Sequence, residues 1–266
     1  MKQRPPFPAR LDLSSGRPTP ARAAGKPVAP QHGARALAGM PPTRLAHAHG
    51  PDSTAVRRSM VHKLQQQGVS DAQVLSAMRT IERHRFVDSA LGNQAYEDTS
   101  LPIGLGQTIS KPSVVARMAE LLRNGAPDKL GRVLEIGTGC GYQAAVLSLL
   151  AAEVHSIERL RGLHDRAREN LRHLRLRNLH LLFGDGMLGY AKGAPYAAII
   201  AAAGGEAIPQ AWVDQLAVGG RLVAPVSAGA GGVGMQALMV VDKTALGVRQ
   251  TVLEAVHFVP LKSGIA

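Results

Sequence analysis

The sequence predicts a doubly wound α/β fold, with a largely parallel sheet covered by helices on both faces and a helical N-terminal cap. Three observations carry this. An apolar strand pattern, Arg132–Ile136, runs into the alternate glycines Gly137, Gly139 and Gly141 before Tyr142 opens an apolar helical run; such a turn lets the backbone visit positive φ and admit a ligand with no Cβ in the way. Strand-length apolar runs and helical periods then alternate as far as Val226, the signature of a parallel sheet buried on both sides. Glu158 closes the next strand pattern 21 residues after Gly137, where folds of this kind set a carboxylate against a ribose.

Taken in order, residues 1–50 hold nine of the seventeen prolines and eight Lys or Arg against Asp12 alone. With no apolar period they cannot bury enough surface to offset their ordering entropy and read as a disordered basic tail. Residues 51–266 read as one domain, of which 51–125 form the cap and a covering loop. Val56, Met60, Val61 and Leu64 make one helical stripe that Gly68 ends. Ser70-Asp-Ala-Gln73 reads as a capping box for a second helix that buries Val74, Leu75, Met78 and Ile81. Tyr96–Ser110 has neither period, yet it is too apolar for a linker, which suits a loop that covers something. Pro112 opens a third helix with Val115, Met118 and Leu122 inside.

Strands follow at Arg132–Ile136, Val154–Glu158, Leu179–Phe183, Tyr196–Ala201 and Arg221–Val226, with helices over Arg159–Leu174 and Pro209–Ala217. Gln236–Asp242 and Val248–Phe258 read as an antiparallel pair closing one edge.

Composition narrows the function classes. The chain has 266 residues, 45% hydrophobic and only 3% aromatic, so alanine, leucine and valine must fill its interior. A single cysteine rules out an intrachain disulfide and fits a reducing cytoplasm; ten scattered histidines with no CxxC give no metal spacing, and no metal is expected. No apolar run is long enough to span a bilayer, so no membrane partner is expected. The tail carries seven of the twelve net positive charges; it could hold phosphates loosely, but a solvated extension is the plainer reading and no specific nucleic acid is expected.

Gly137, Gly139 and Gly141 read GxGxG, whereas a dinucleotide site needs GxGxxG. GxGxG followed by an acidic strand end resembles the first two motifs of S-adenosylmethionine-dependent methyltransferases. On that resemblance the turn with Thr138 admits the methionine part of the cofactor, Glu158 takes the ribose hydroxyls, Asp185 beside Gly186 takes the adenine amino group, and Ile157 or Met187 sandwiches the ring. Each acid also has a bland reading, Glu158 as a helix-start acid and Asp185 as a turn residue.

A more specific resemblance rests on Arg85-Phe-Val87, Ala95-Tyr-Glu-Asp98, Leu101-Pro-Ile-Gly104, Gly106-Gln-Thr-Ile-Ser110, Val133–Ala145, Ser156-Ile-Glu-Arg159, Gly184-Asp-Gly186 and Phe258-Val-Pro-Leu261. From about residue 60 to the C-terminus the chain resembles the protein-L-isoaspartate O-methyltransferase family. The resemblance implies a Rossmann-like, seven-stranded methyltransferase sheet with a modified C-terminal end. It implies methyl transfer from S-adenosyl-L-methionine to the free carboxylate of L-isoaspartyl and D-aspartyl residues in damaged proteins and peptides; separately, a monomer is expected. Ser110 matches the family's active-site serine and Thr108 stands beside it. Gln107 and Ile109 wrap the cofactor, Glu135 in the preceding strand joins its binding set, and Gln236 matches a cofactor-side residue of a late strand.

The acceptor carboxylate, with a reference pKa of roughly 3.5, is already ionised at neutral pH, so the chemistry needs positioning and dryness rather than a general base. The chain departs from the family at Cys140, where serine is usual and an inert small residue is expected, at Ala197, at Ala201–Pro209 and at Ser227. Two other readings stay open: a methyltransferase acting on nucleic acid, against which the missing Asp-Pro-Pro-aromatic turn speaks, and a degenerate fold that only binds.

Overall fold

A computed structural model describes residues 53–227 and 235–266, so the expected basic tail lies outside the described residues. Helices α1 (Ser53–Gln66) and α2 (Ala72–Thr80) bury Met60, Val61 and Leu64 and Val74, Leu75 and Met78 respectively, while Val56 stays exposed. The cap of α2 is Asp71 rather than Ser70: its carboxylate accepts from the N–H groups of Gln73 and Val74 at 2.9 and 3.0 Å. A carboxylate wins there because it also pairs at 2.8 Å with the buried guanidinium of Arg123. Ser70 turns instead to Glu120, donating both its N–H and its hydroxyl.

The aperiodic stretch before Ser110 hides a hairpin, β1 (Leu101–Gly104) against β2 (Gln107–Ile109). Strands of four and three residues are too short to display a period. The two residues of its tip, Leu105 and Gly106, both have positive φ (53° and 69°), the geometry that matches strand twist but is usually given to Asn-Gly. Helix α3 (Pro112–Arg123) follows directly.

The main sheet is built from β3 (Leu130–Ile136), β4 (Ala151–Glu158), β5 (Leu179–Phe183), β6 (Tyr196–Ala201), β7 (Leu216–Ser227), β8 (Gln236–Thr244) and β9 (Gly247–Val256), in the order β5-β4-β3-β6-β7-β8-β9. The first five are mutually parallel, and β8 and β9 are antiparallel, as expected for an edge-closing pair. Strands β4 and β7 begin earlier than the sequence pattern suggests, because α4 (Tyr142–Leu150) and α6 (Gln210–Gln215) pass into them without a loop. Helix α5 (Arg161–Leu171) connects β4 to β5.

Two layers of apolar side chains enclose the sheet. Val133, Val154, Ile200 and Val223 face α3 and Phe258 on one side, and Leu134, Ile136, Ile199 and Leu222 face Trp212 on the other. The cap helices join the first side by packing Leu64 and Met78 with Tyr142 and Val146 of α4. Winding reverses between β3 and β6, and in such sheets the ligand crevice opens at the carboxyl ends of those strands.

Candidate active site

After β3 the chain turns through Gly137, Gly139 and Gly141 at φ of +90°, +56° and +92°. Gly137 and Thr138 donate to the Ile157 carbonyl and Ala202 donates to that of Ile136, which fixes the turn between β4 and β6. Gly141 serves packing: a Cβ there would sit 2.7 Å from the Leu171 side chain of α5. Glu158, 5% exposed at the end of β4, accepts from the N–H groups of Gly139 and Leu160, both at 2.9 Å. Its carboxylate is therefore aimed by backbone on two sides.

The hairpin lies over this turn. Ile103 packs on Gly139, Leu105 reaches Gly162, and the Arg166 guanidinium of α5 donates to the Ile103 carbonyl. Beneath the roof is a cavity of about 250 Å³ walled by Gly137–Cys140, Ile157–Leu160, the hairpin strand Gln107–Ile109 with Ser110, and the C-terminal segment Val259–Lys262. A second hollow of about 310 Å³ adjoins it between α3 and the end of β9, lined by Lys111, Val114, Val256 and His257. Ser110 borders both.

Below the cavity the Thr138 hydroxyl lies 2.6 Å from that of Ser156, which donates to Glu135. Glu135 is fully buried, and desolvation pushes its carboxyl up to about 8, opposed by the Ser156 hydroxyl. Its second oxygen and the Gln143 side-chain nitrogen are both buried; the Gln143 amide faces Glu135 closely enough to oppose the upward push, without well-formed hydrogen-bond geometry among the described residues. Cys140 is also buried, and burial pushes its thiol up to about 11, so it stays protonated and inert at neutral pH.

Of the residues singled out from sequence, Gln107, Thr108, Ile109, Ser110, Gly137, Thr138, Gly139, Glu158 and Gly186 border the cavity. Glu135, Gly141, Asp185 and Gln236 stand behind it, and of the two ring-sandwiching candidates Ile157 borders it while Met187 does not. Both oxygens of Asp185 are engaged by backbone, with the Met187 N–H at 2.8 Å and the Gly264 N–H at 2.6 Å. Gln236 accepts from the Phe258 N–H at 2.7 Å, and its amide fills the space over Gly204.

A family model described as protein-L-isoaspartate(D-aspartate) O-methyltransferase matches residues 55–266. The chain belongs to that family. It is 56% identical to the protein-L-isoaspartate O-methyltransferase of Methylibium petroleiphilum over 98% of this chain and 96% of that one. It is 61% identical to that of Leptothrix cholodnii over 81% and 76% of the two chains. A solved structure of a protein-L-isoaspartate O-methyltransferase superposes with a TM-score of 0.70 at 29% identity, covering 79% of this chain and 67% of that one.

Within this family frame, sequence reasoning missed three parts of the wall. Gln143 sits one position into α4, where a polar residue opening an apolar helix was the available signal. Ile103 and Leu105 lay in a stretch without a period. The Phe258-Val-Pro-Leu261 motif was visible, but only the fold brings it to the cavity, through the bonds of Gly204 with the Val259 carbonyl and the Leu261 N–H.

Proposed function

We propose that this chain methylates the free carboxylate of L-isoaspartyl, and D-aspartyl, residues in damaged proteins and peptides, the first step of their repair, with Ser110 and Thr108 orienting the acceptor. The observation that carries this is the position of Ser110, whose residue borders both the cavity under the hairpin and the hollow beside α3. One hydroxyl can then serve a donor on one side and a peptide carboxylate on the other.

The residues fit S-adenosyl-L-methionine. Glu158, braced by two N–H groups, presents a carboxylate suited to a diol, Ile157 offers an apolar face to a purine, and the Gly137–Gly139 backbone leaves room for an amino-acid moiety. The buried amide of Gln143 borders the cavity with no well-formed hydrogen bond among the described residues, so it can turn to a polar ligand. Bound there, the cofactor supplies an electrophilic methyl on a sulfonium.

This chain's own residues do the rest. The acceptor oxygen is anionic at neutral pH and needs no base. Ser110 and Thr108 hold one acceptor oxygen, leaving the other free to attack in line, and up to roughly 7–11 kcal/mol of a barrier can come from such positioning. Ile103 and Leu105 of the roof exclude the water that would solvate the carboxylate. Gln107 and Ile109 line the donor side, Gly186 closes its floor, and Glu135, Asp185 and Gln236 act through Ser156, Gly264 and Phe258 respectively. Residues 51–266 form the catalytic domain with 51–125 as its cap, acting as a cytoplasmic monomer without nucleic-acid or membrane partners; among the described residues no helix is long and apolar enough to cross a membrane.

Labelled methyl transfer to an isoaspartyl peptide and to its normal aspartyl counterpart tests the reading. Turnover is expected with the first alone, and equal labelling of both would overturn the specificity.

A further inference from the structure

The histidines have no spacing pattern along the chain, yet sheet register gathers two of them with an acid at the edge of the sheet. Glu153 and His155 stand two apart on β4 and so face the same side, and His180 of the edge strand β5 is paired directly with His155. Carboxylate or imidazole donor atoms of the three lie within 4.8 Å of one another. Glu158, at the other end of the same strand, belongs to the cavity already described, so this cluster takes no part in it.

The three side chains are held as a set. The Glu153 carboxylate is fixed from behind by Arg132, whose Nε donates to Oε2 at 2.5 Å and whose Nη1 donates to the Gly193 carbonyl at 2.8 Å. Its other oxygen is 3.2 Å from Nε2 of His180. The His155 ring is packed against Tyr190, Tyr196 and His180, only 9% exposed, and its Nδ1 is buried with no hydrogen-bond partner among the described residues. A buried polar atom left without a partner costs free energy, so such atoms call for an explanation. The His180 side chain, 45% exposed, leaves the cluster open to solvent.

We propose that Glu153, His155 and His180 form a site for one divalent transition-metal ion of the zinc class, which ties edge strand β5 to β4. Two imidazoles and a carboxylate are the donor set such ions prefer, and two residues alternating on one strand plus one on its neighbour give three ligands on one side with a fourth position for water. Zinc needs its ligands about 3.4 Å apart at bond lengths of roughly 2.1 Å. The cluster therefore has to contract by up to about 1.4 Å, within reach of a χ rotation of the half-exposed His180. Arg132 orients the carboxylate as a supporting group does in metal sites, while its charge keeps the affinity moderate.

The test uses the full chain, stripped with chelator and titrated with zinc, with cobalt(II) as a visible probe. One zinc per chain at micromolar concentration is expected, together with a raised melting temperature and the visible absorption of low-coordinate cobalt. His180→Gln, at a half-exposed position, and Glu153→Gln should each weaken zinc binding at least tenfold and abolish both the cobalt band and the thermal shift. Absence of binding to the unaltered chain would overturn the proposal. So would unchanged binding in both variants, or loss of binding on changing His47 and His49 of the tail to Gln instead.

Discussion

Ser110 carries no charge and sits just before α3, so its hydroxyl can orient an acceptor but not activate one. Its removal should be felt in turnover more than in cofactor affinity. For Ser110→Ala we expect kcat to fall about 10–100-fold, the worth of a hydrogen bond to a charged group at roughly 1.5–3 kcal/mol, with the dissociation constant for S-adenosylmethionine within twofold; steady-state kinetics beside calorimetry separates the two. Lys111, the neighbouring wall of the second hollow, makes that hollow basic. Lys111→Glu should therefore raise KM for isoaspartyl peptides with acidic neighbours and leave those with basic neighbours unaffected or improved, and the difference should shrink with added salt. Asp185 has a second task besides the adenine contact that its motif implies. With both oxygens on backbone N–H groups, it anchors the segment that ends the chain, whose Val259–Lys262 part walls the cavity. Asp185→Ala is expected to weaken cofactor binding about tenfold, near 1.4 kcal/mol, and to increase amide exchange at Gly264; weakened binding with exchange unchanged would mean direct contact instead.

At the scale of elements, the glycine turn and α5 are one packing unit. A Cβ at position 141 would lie 2.7 Å from Leu171 at a φ that side chains rarely adopt. Gly141→Ala should cost about 1–3 kcal/mol through overpacking alone, and Leu171→Ala in the same chain should restore part of the loss; denaturant unfolding of the two single variants and the double variant measures it. The third glycine of GxGxG thus answers to the helix, whereas Gly139 answers to Glu158. Elements with a long period, such as α3 or the parallel strands, were legible because their burial repeats along the chain. The hairpin was not, since among the described residues Leu101–Gly104 and Gln107–Ile109 pair only with each other and owe their form to the positive-φ run Gly104–Gly106, whose middle residue is a leucine. The Ser70 box was misread by one residue because the partner that decides it, Arg123, lies 52 residues away. Glu158 and the Gly137–Gly139 turn could be found in sequence because strand ends are local features. The place of the Val259–Lys262 wall could not, because only its bonds to Gly204, just beyond β6, bring that motif to the cavity, and Gln143 left no signal beyond a polar residue opening an apolar helix.

For the whole molecule, a buried acid under the cavity makes both stability and ligand binding depend on pH. Glu135 keeps its proton in the folded chain up to about 8, whereas its ordinary value is 4.5. Between those values the folded state holds a proton that the unfolded state has lost, so stability falls as pH rises through the window and the contribution is constant above it. The limiting slope for one group is about 1.4 kcal/mol per pH unit. Glu135→Gln, which cannot titrate, should gain on the parent chain as pH goes from 5 to 8, as read from unfolding midpoints across that range. A cationic cofactor held in the cavity beside the Glu135–Ser156–Thr138 chain would favour the ionised carboxyl, since an opposite charge lowers an acid's pKa. Binding would then release a proton below pH 8, and cofactor affinity would rise with pH up to that point. Calorimetry in two buffers of different ionisation enthalpy detects the proton directly. A buffer-dependent heat that vanishes in Glu135→Gln is expected; a heat independent of buffer in the parent chain, or one that persists in the variant, would assign the proton to another group.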